Sequence, residues 1–195
     1  MMKNFSSRIN SCKAALDCVC NIETRILEAS DVIVDALHSG KRIYACGNGG
    51  SAAEAMHFAT ELSGRYRSNR IPFPAIALTA DGTALTCIGN DFGWDQIFAR
   101  QLEAHAQVGD ILLVLTTSGK SPNVLAALET ARRLGLKTIG LLGNDGGIAR
   151  NLCDIPLVIA SADTGSIQEA HLVVIHILCE ALEVAKQASM ISEIN

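Results

Sequence analysis

The chain has 195 residues and a net charge of −4, with 49% hydrophobic residues and only 18% charged ones. A chain of this length buries a full core as one compact domain. Its lysines and arginines cluster no further than adjacent pairs, which excludes a surface built to neutralise nucleic-acid phosphates.

No apolar run reaches the roughly 18 residues of a membrane span, and Met1 to Asn10 is too polar for a secretory leader. Abundant Ala, Leu, Ile and Val with few aromatics suits helices packed closely on a parallel sheet. The low charged fraction points to helix surface covered by further subunits. The seven cysteines, an odd number in mostly apolar surroundings, read as reduced structural thiols of a cytoplasmic protein. Cys18-Val19-Cys20 lacks a partner pair at zinc-finger spacing.

Up to Gly40 the chain reads as helical. Leu16, Val19, Ile22, Ile26, Ile33 and Leu37 recur at spacings of three to seven, and Gly40 stops the run. Residues 1–40 are thus expected as an N-terminal helical extension for oligomer packing, and 41–195 as the main domain. Short β-rich runs then appear at Arg42–Cys46, Ala75–Leu78, Ile111–Leu115, Thr138–Leu142 and Leu157–Ala160. Helical stretches separate them at Ser51–Arg67, Thr83–Ile88 with Asp95–His105, Ser121–Leu134 and Ile167–Lys186; the tail after Gln187 reads as frayed. This alternation predicts an α/β fold, a parallel sheet covered on both faces with right-handed crossovers. Ligands of such sheets bind at the carboxyl ends of the strands, so those turns carry the chemistry.

The first turn is Cys46-Gly47-Asn48-Gly49-Gly50-Ser51. Its glycines allow close backbone approach, and Ser51 with Glu54 three positions on forms a capping-box pattern at a helix start, where an anion is favoured. Gly47-x-Gly49-x-x-Ala52 also fits a loose dinucleotide fingerprint. That fingerprint needs an acidic residue about 20 positions on, and the stretch there, Arg65 to Arg70, is basic; Asp81 comes too late. The third strand runs into Thr116-Thr117-Ser118-Gly119-Lys120-Ser121-Pro122. Four hydroxyls precede a helix with Ser121 as cap and Pro122 at its first position, a cluster fit to enclose a phosphate without arginine. Gly143-Asn144-Asp145-Gly146-Gly147 lacks hydroxyls and reads as a structural turn.

His57 and Glu61 lie four apart on one helix face, a spacing for a metal pair or for a carboxylate base beside an imidazole. Arg65 follows one turn later, placed to steady Glu61 or meet a substrate anion. In the last long helix Gln168, Glu169, His171 and His176 interrupt apolar sequence. Gln168 and His176 are separated by roughly 12 Å of helix rise, so they share an ion or substrate only if Gln168 starts the helix or the two come from different subunits. His38 and His105 read as surface residues.

These stretches together resemble the phosphoheptose isomerase family of the sugar isomerase (SIS) domain superfamily. The matching segments are Cys46–Ser51, Ala55–Ala59 with Glu61, Gly64–Tyr66, Ile88–Phe92, Thr117–Asn123 and Ile167–His171 followed by His176, in the family's order. The resemblance implies a flavodoxin-like five-stranded sheet and a homotetramer with sites at subunit junctions. It implies conversion of sedoheptulose 7-phosphate to D-glycero-D-manno-heptose 7-phosphate through an enediol. It further implies that Asn48, Gly49, Gly50, Asn90, Asp91, Thr116, Thr117, Ser118 and Ser121 hold substrate, assisted by Ser51, Arg65 and Gln168. Glu61 would be the base, His176 the acid, and His57, Glu61, Gln168 and His176 the ligands of one Zn²⁺ per subunit. Two positions depart from the family pattern. Thr116 replaces a common serine, and Asp163-Thr164-Gly165-Ser166 lacks the basic residue usual before Ile167.

Two other readings belong beside this one. A replication-initiator-associating tetramer of the same superfamily lacks counterparts of Glu61 and His176, both present here. Another SIS isomerase, acting on a pentose or hexose phosphate, would differ in pocket length.

Overall fold

The computed structural model describes residues 5–192. Two helices, α1 (Phe5–Asn21) and α2 (Glu23–His38), precede five strands: β1 (Ile43–Gly47), β2 (Ala75–Ala77), β3 (Ile111–Thr116), β4 (Lys137–Gly143) and β5 (Ile155–Ile159). Between and after them come α3 (Gly50–Ser63), α4 (Gly82–Phe92), α5 (Ala99–His105), α6 (Pro122–Leu134), α7 (Ala149–Leu152) and α8 (Thr164–Ser192), with a 3-10 turn at Trp94–Gln96.

All strands are parallel, in the order β2-β1-β3-β4-β5. Strands buried on both faces need apolar residues at every position, and each residue of β1 and β3 is buried. One face packs Ile43, Ala45, Leu113 and Leu141 against α1, α2, α3 and α8, with Phe58, Leu62 and Val174 fully buried. The other packs Tyr44, Leu112 and Val114 against α5 and α6 through Leu102, Val124 and Leu128. Each such buried leucine or phenylalanine contributes about 2 kcal/mol. The strand order reverses between β1 and β3, which places the turns after those two strands either side of one crevice.

Several helices differ from the sequence expectation: α4 runs on past Ile88 to Phe92, and α5 starts at Ala99, behind the 3-10 turn, instead of at Asp95. Helix α3 stops at Ser63 instead of reaching Arg67, because Gly64 leaves helical geometry (ψ −105°). Helix α8 begins earlier, at Thr164, and continues through Gln187 to Ser192. The short α7 carries no periodic signal of its own. Residues 1–4 and 193–195 lie outside the described residues.

Candidate active site

The turns at the strand-order reversal build the first half of the site. Gly47 has no room for a side chain: a Cβ would meet the carbonyl oxygens of Ser51 at 2.7 Å and Leu115 at 2.8 Å. Gly49 takes φ 56° and caps α3 by backbone alone, so the capping box expected from Ser51 and Glu54 does not form. Ser51 lies instead inside the first turn, buried. Glu54, a turn on, has one carboxylate oxygen buried without a partner. Burial pushes its pKa up to about 7, against a smaller lowering by the Ser51 hydroxyl.

The first loop is locked to α6 by a reciprocal amide pair. Asn48 donates to Asn123 and Asn123 to Asn48, each at 2.8 Å. Ser121 occupies the N-cap of α6 without a side-chain capping bond, so its hydroxyl serves the loop interior. Gly119 (φ +62°) lies so close to the turn after β4 that a Cβ would sit 2.0 Å from the Gly146 carbonyl oxygen. Asn144 Nδ2 donates to the Thr117 carbonyl at 2.8 Å. That turn braces the hydroxyl loop. Asn48, Gly50, Ser51, Thr116, Thr117, Ser118, Ser121 and Gln168 thus come together around one cavity of about 220 Å³, completed by Leu115 and Thr164. Hydroxyls beside the N-termini of two helices give it the chemistry that favours an anion.

From this cavity α3 and α8 run side by side. Gln168 is pressed against Gly50, where a Cβ would lie 2.1 Å from its Nε2. Two turns down, His57 Nε2 lies 3.3 Å from His176 Nε2 and 3.2 Å from Glu61 Oε1. The Tyr66 ring stacks on His176 at 5.5 Å and 26°. A carboxylate and an imidazole from separate helices therefore face each other through His57, below the hydroxyl-lined cavity. Such a pair can take and return a proton.

The donor set suits zinc in kind, with two imidazole nitrogens and a carboxylate oxygen. The three form a chain through His57, and no three His, Cys, Asp or Glu groups among the described residues gather about one point. Gln168 stands at the other end of the seam on the unbroken α8, roughly 12 Å of rise from His176.

Three expected site residues stand apart. Arg65 is exposed beyond the end of α3. Asn90 and Asp91 are exposed at the end of α4, the Asn90 amide donating to Asp91 at 2.7 Å. None of the three lines the cavity. His171 is fully buried, and neither ring nitrogen has a partner in good hydrogen-bond geometry. Burial lowers its pKa to about 4, opposed weakly by the Leu142 backbone, so the ring is neutral.

Sequence reading missed other contributors. The Asp163–Ser166 segment, without a base of its own, receives Arg8 from α1. Arg8 donates to Ser166 Oγ at 2.6 Å and pairs with Asp163 at 3.4 Å and with Glu169. Arg70 and Glu183 were also missed, since neither carries a signal within its own stretch of sequence.

A doubly wound five-stranded sheet with a hydroxyl cradle at its switch point defines the SIS class, and the SIS domain model matches residues 9–143. The chain is 52% identical over 157 residues to the phosphoheptose isomerase of Campylobacter concisus, covering 80% of this chain and 83% of that one. It is 44% identical to that of Pelobacter propionicus over 95% of this chain and 98% of the relative. The solved phosphoheptose isomerase of Francisella tularensis superposes with a TM-score of 0.87 at 39% identity, covering 91% and 94% of the two chains. The chain belongs to the phosphoheptose isomerase family.

Proposed function

We infer that the chain isomerises sedoheptulose 7-phosphate to D-glycero-D-manno-heptose 7-phosphate. The observation that carries this is the Glu61–His57–His176 contact across the α3–α8 seam, two helical turns below the hydroxyl cradle. Ketose-to-aldose conversion moves a proton between C1 and C2. The Glu61 carboxylate takes the proton from one carbon and returns it to the next. The His176 imidazole donates to the C2 oxygen that becomes negative and takes back the proton of the C1 hydroxyl as the aldehyde forms. The hydroxyls of Thr117, Ser118 and Ser121 hold the distal phosphate, which fixes the register of the sugar along the seam. His57, tied to both catalytic groups, keeps them oriented.

Bound by His57, Glu61 and His176, with Gln168 completing the set, Zn²⁺ would polarise the sugar carbonyl. The distance of Gln168 from His176 along α8 supports its arriving from a second subunit, in keeping with the homotetramer with junction sites that the family resemblance implies. Exposed Ile9, Leu27, Val173 and Val184 on α1, α2 and α8 supply apolar surface for such packing. At those junctions Arg65, Asn90 and Asp91 meet the sugar from the rim. A cytoplasmic setting agrees with the seven free cysteines. Among the described residues no helix is long and apolar enough to cross a membrane.

Turnover of sedoheptulose 7-phosphate, measured with and without a chelator, tests the reading. Absence of product in both conditions overturns the isomerase assignment; full activity after exhaustive metal removal overturns the zinc.

A further inference from the structure

Below the His57–His176 contact, the seam is closed by charged groups that the proposed reaction does not use. Arg70 lies in the segment after α3, its guanidinium 4.3 Å over the Phe73 ring. Nη2 donates to the Glu61 carbonyl at 2.7 Å, and Nη1 to the carbonyls of Leu62 at 2.9 Å and Ile71 at 3.1 Å. The first two belong to the last turn of α3, whose carbonyls have no partner within the helix, and a cation there matches the helix dipole.

The Nε of Arg70 has no hydrogen bond of its own and faces Glu183 at 3.6 Å, with only 6% and 8% of the two side chains exposed. Glu183 stands two turns beyond His176 on α8. It accepts the backbone N–H of Arg67 at 3.1 Å and that of Ser68 at 3.1 and 3.2 Å. Burial alone would raise its pKa, but the Arg67 and Ser68 donors together with Arg70 hold it below the ordinary carboxylate value. It is an anion at neutral pH. Arg67 in turn pairs with Glu180 on the same helix. The segment from Tyr66 to Arg70 is therefore fastened to the end of α3 and to the middle of α8 at once. The first residue of that segment is the Tyr66 stacked on His176.

We propose that Arg70 and Glu183 are positioning residues which set the spacing of α3 and α8, and with it the distance between the Glu61 carboxylate and the His176 imidazole. A buried ion pair contributes little net stability but fixes one arrangement among several. Here that arrangement spans the two helices carrying the reacting groups. Neither residue lines the phosphate cradle, which lies at the opposite end of the seam. Loosening the pair moves the proton-transfer groups and leaves the phosphate grip in place. The kinetic consequence rests on the isomerase reading; the geometric one does not.

The test compares wild type with Arg70→Met, Arg70→Lys, Glu183→Gln and Glu183→Asp in the full chain. Steady-state kinetics on sedoheptulose 7-phosphate are read beside the NMR signals of the histidine ring protons, which the Tyr66 ring current displaces for His176. Arg70→Met and Glu183→Gln are expected to lower kcat about 10- to 100-fold with KM within about twofold. The His176 signals should lose their displacement, and the charge-keeping Lys and Asp variants should recover part of both effects. Folded variants with kcat within twofold of wild type and unmoved His176 signals overturn the proposal. So does a loss confined to KM. A wild type with no turnover sinks the isomerase reading instead, and the His176 signals still decide the positioning claim.

Discussion

Replacing Gly50 with alanine tests whether Gln168 belongs to the active site. Gly50 lies in the first turn of α3 without a positive φ, so the backbone accepts a side chain there. The new methyl would meet Gln168 Nε2 at 2.1 Å and Cδ at 2.8 Å. Ordinary contact is about 3.5 Å, so the amide must retreat by about 1.4 Å. It is the far end of a flexible side chain, and moving off its rotamer costs about 1 kcal/mol. Alanine's helix preference over glycine returns about the same amount. Stability should therefore change by less than about 1 kcal/mol, a shift of a few degrees in Tm. Activity should not be spared. A displacement above 1 Å at a group that orients substrate or metal costs about 100-fold in rate. The assay pairs thermal unfolding with turnover of sedoheptulose 7-phosphate and with zinc content of the purified protein. A Gly50→Ala protein with unchanged Tm and unchanged turnover would remove Gln168 from the site.

Further expectations follow from the same geometry. Gly119→Ala places its methyl 2.0 Å from a backbone carbonyl at φ +62°, where nothing flexible can yield; urea denaturation should show a loss above about 3 kcal/mol, and a stable variant would refute the bracing role of the turn after β4. Glu61→Gln should reduce kcat by at least about 100-fold while circular dichroism and Tm stay unchanged, and near-normal turnover would discredit Glu61 as the base. His171 has a folded pKa depressed to about 4 from 6.5, so its stability contribution, about 3 kcal/mol, is present above pH 6.5 and lost as pH falls toward 4. Glu54 works in the opposite sense: its raised pKa, about 7, gives a contribution present below the unfolded value and lost as pH rises to 7. Glu54→Gln should accordingly raise Tm at pH 8 but not at pH 4; equal Tm values at pH 8 would contradict the burial of its carboxyl.

Much of the fold was legible because a two-sided parallel sheet imposes a strong pattern. Fully buried strands read as continuous apolar runs, and all five stood where β-rich segments were expected, with ends shifted by a residue or two. The hydroxyl loop was equally visible, since its residue types matter individually and follow a strand directly. The capping box failed because Gly49 supplies a conformation that makes a side-chain cap unnecessary, a choice of dihedral that Ser51 and Glu54 do not reveal. Arg8, Arg70 and Glu183 went unread for a related reason. Each acts across a sequence separation of more than a hundred residues, and an isolated charged residue carries no period.

From its residues alone, the order of strands and helices, the two ligand-facing turns and the pairing of His57 with Glu61 were determined, because each is written within a few neighbouring positions. Which side chains meet across the α3–α8 seam was decided only by packing. Gln168 against Gly50, His176 against His57 and Glu183 beside Arg70 depend on the register of two helices laid side by side, and that register is set by the whole core beneath them.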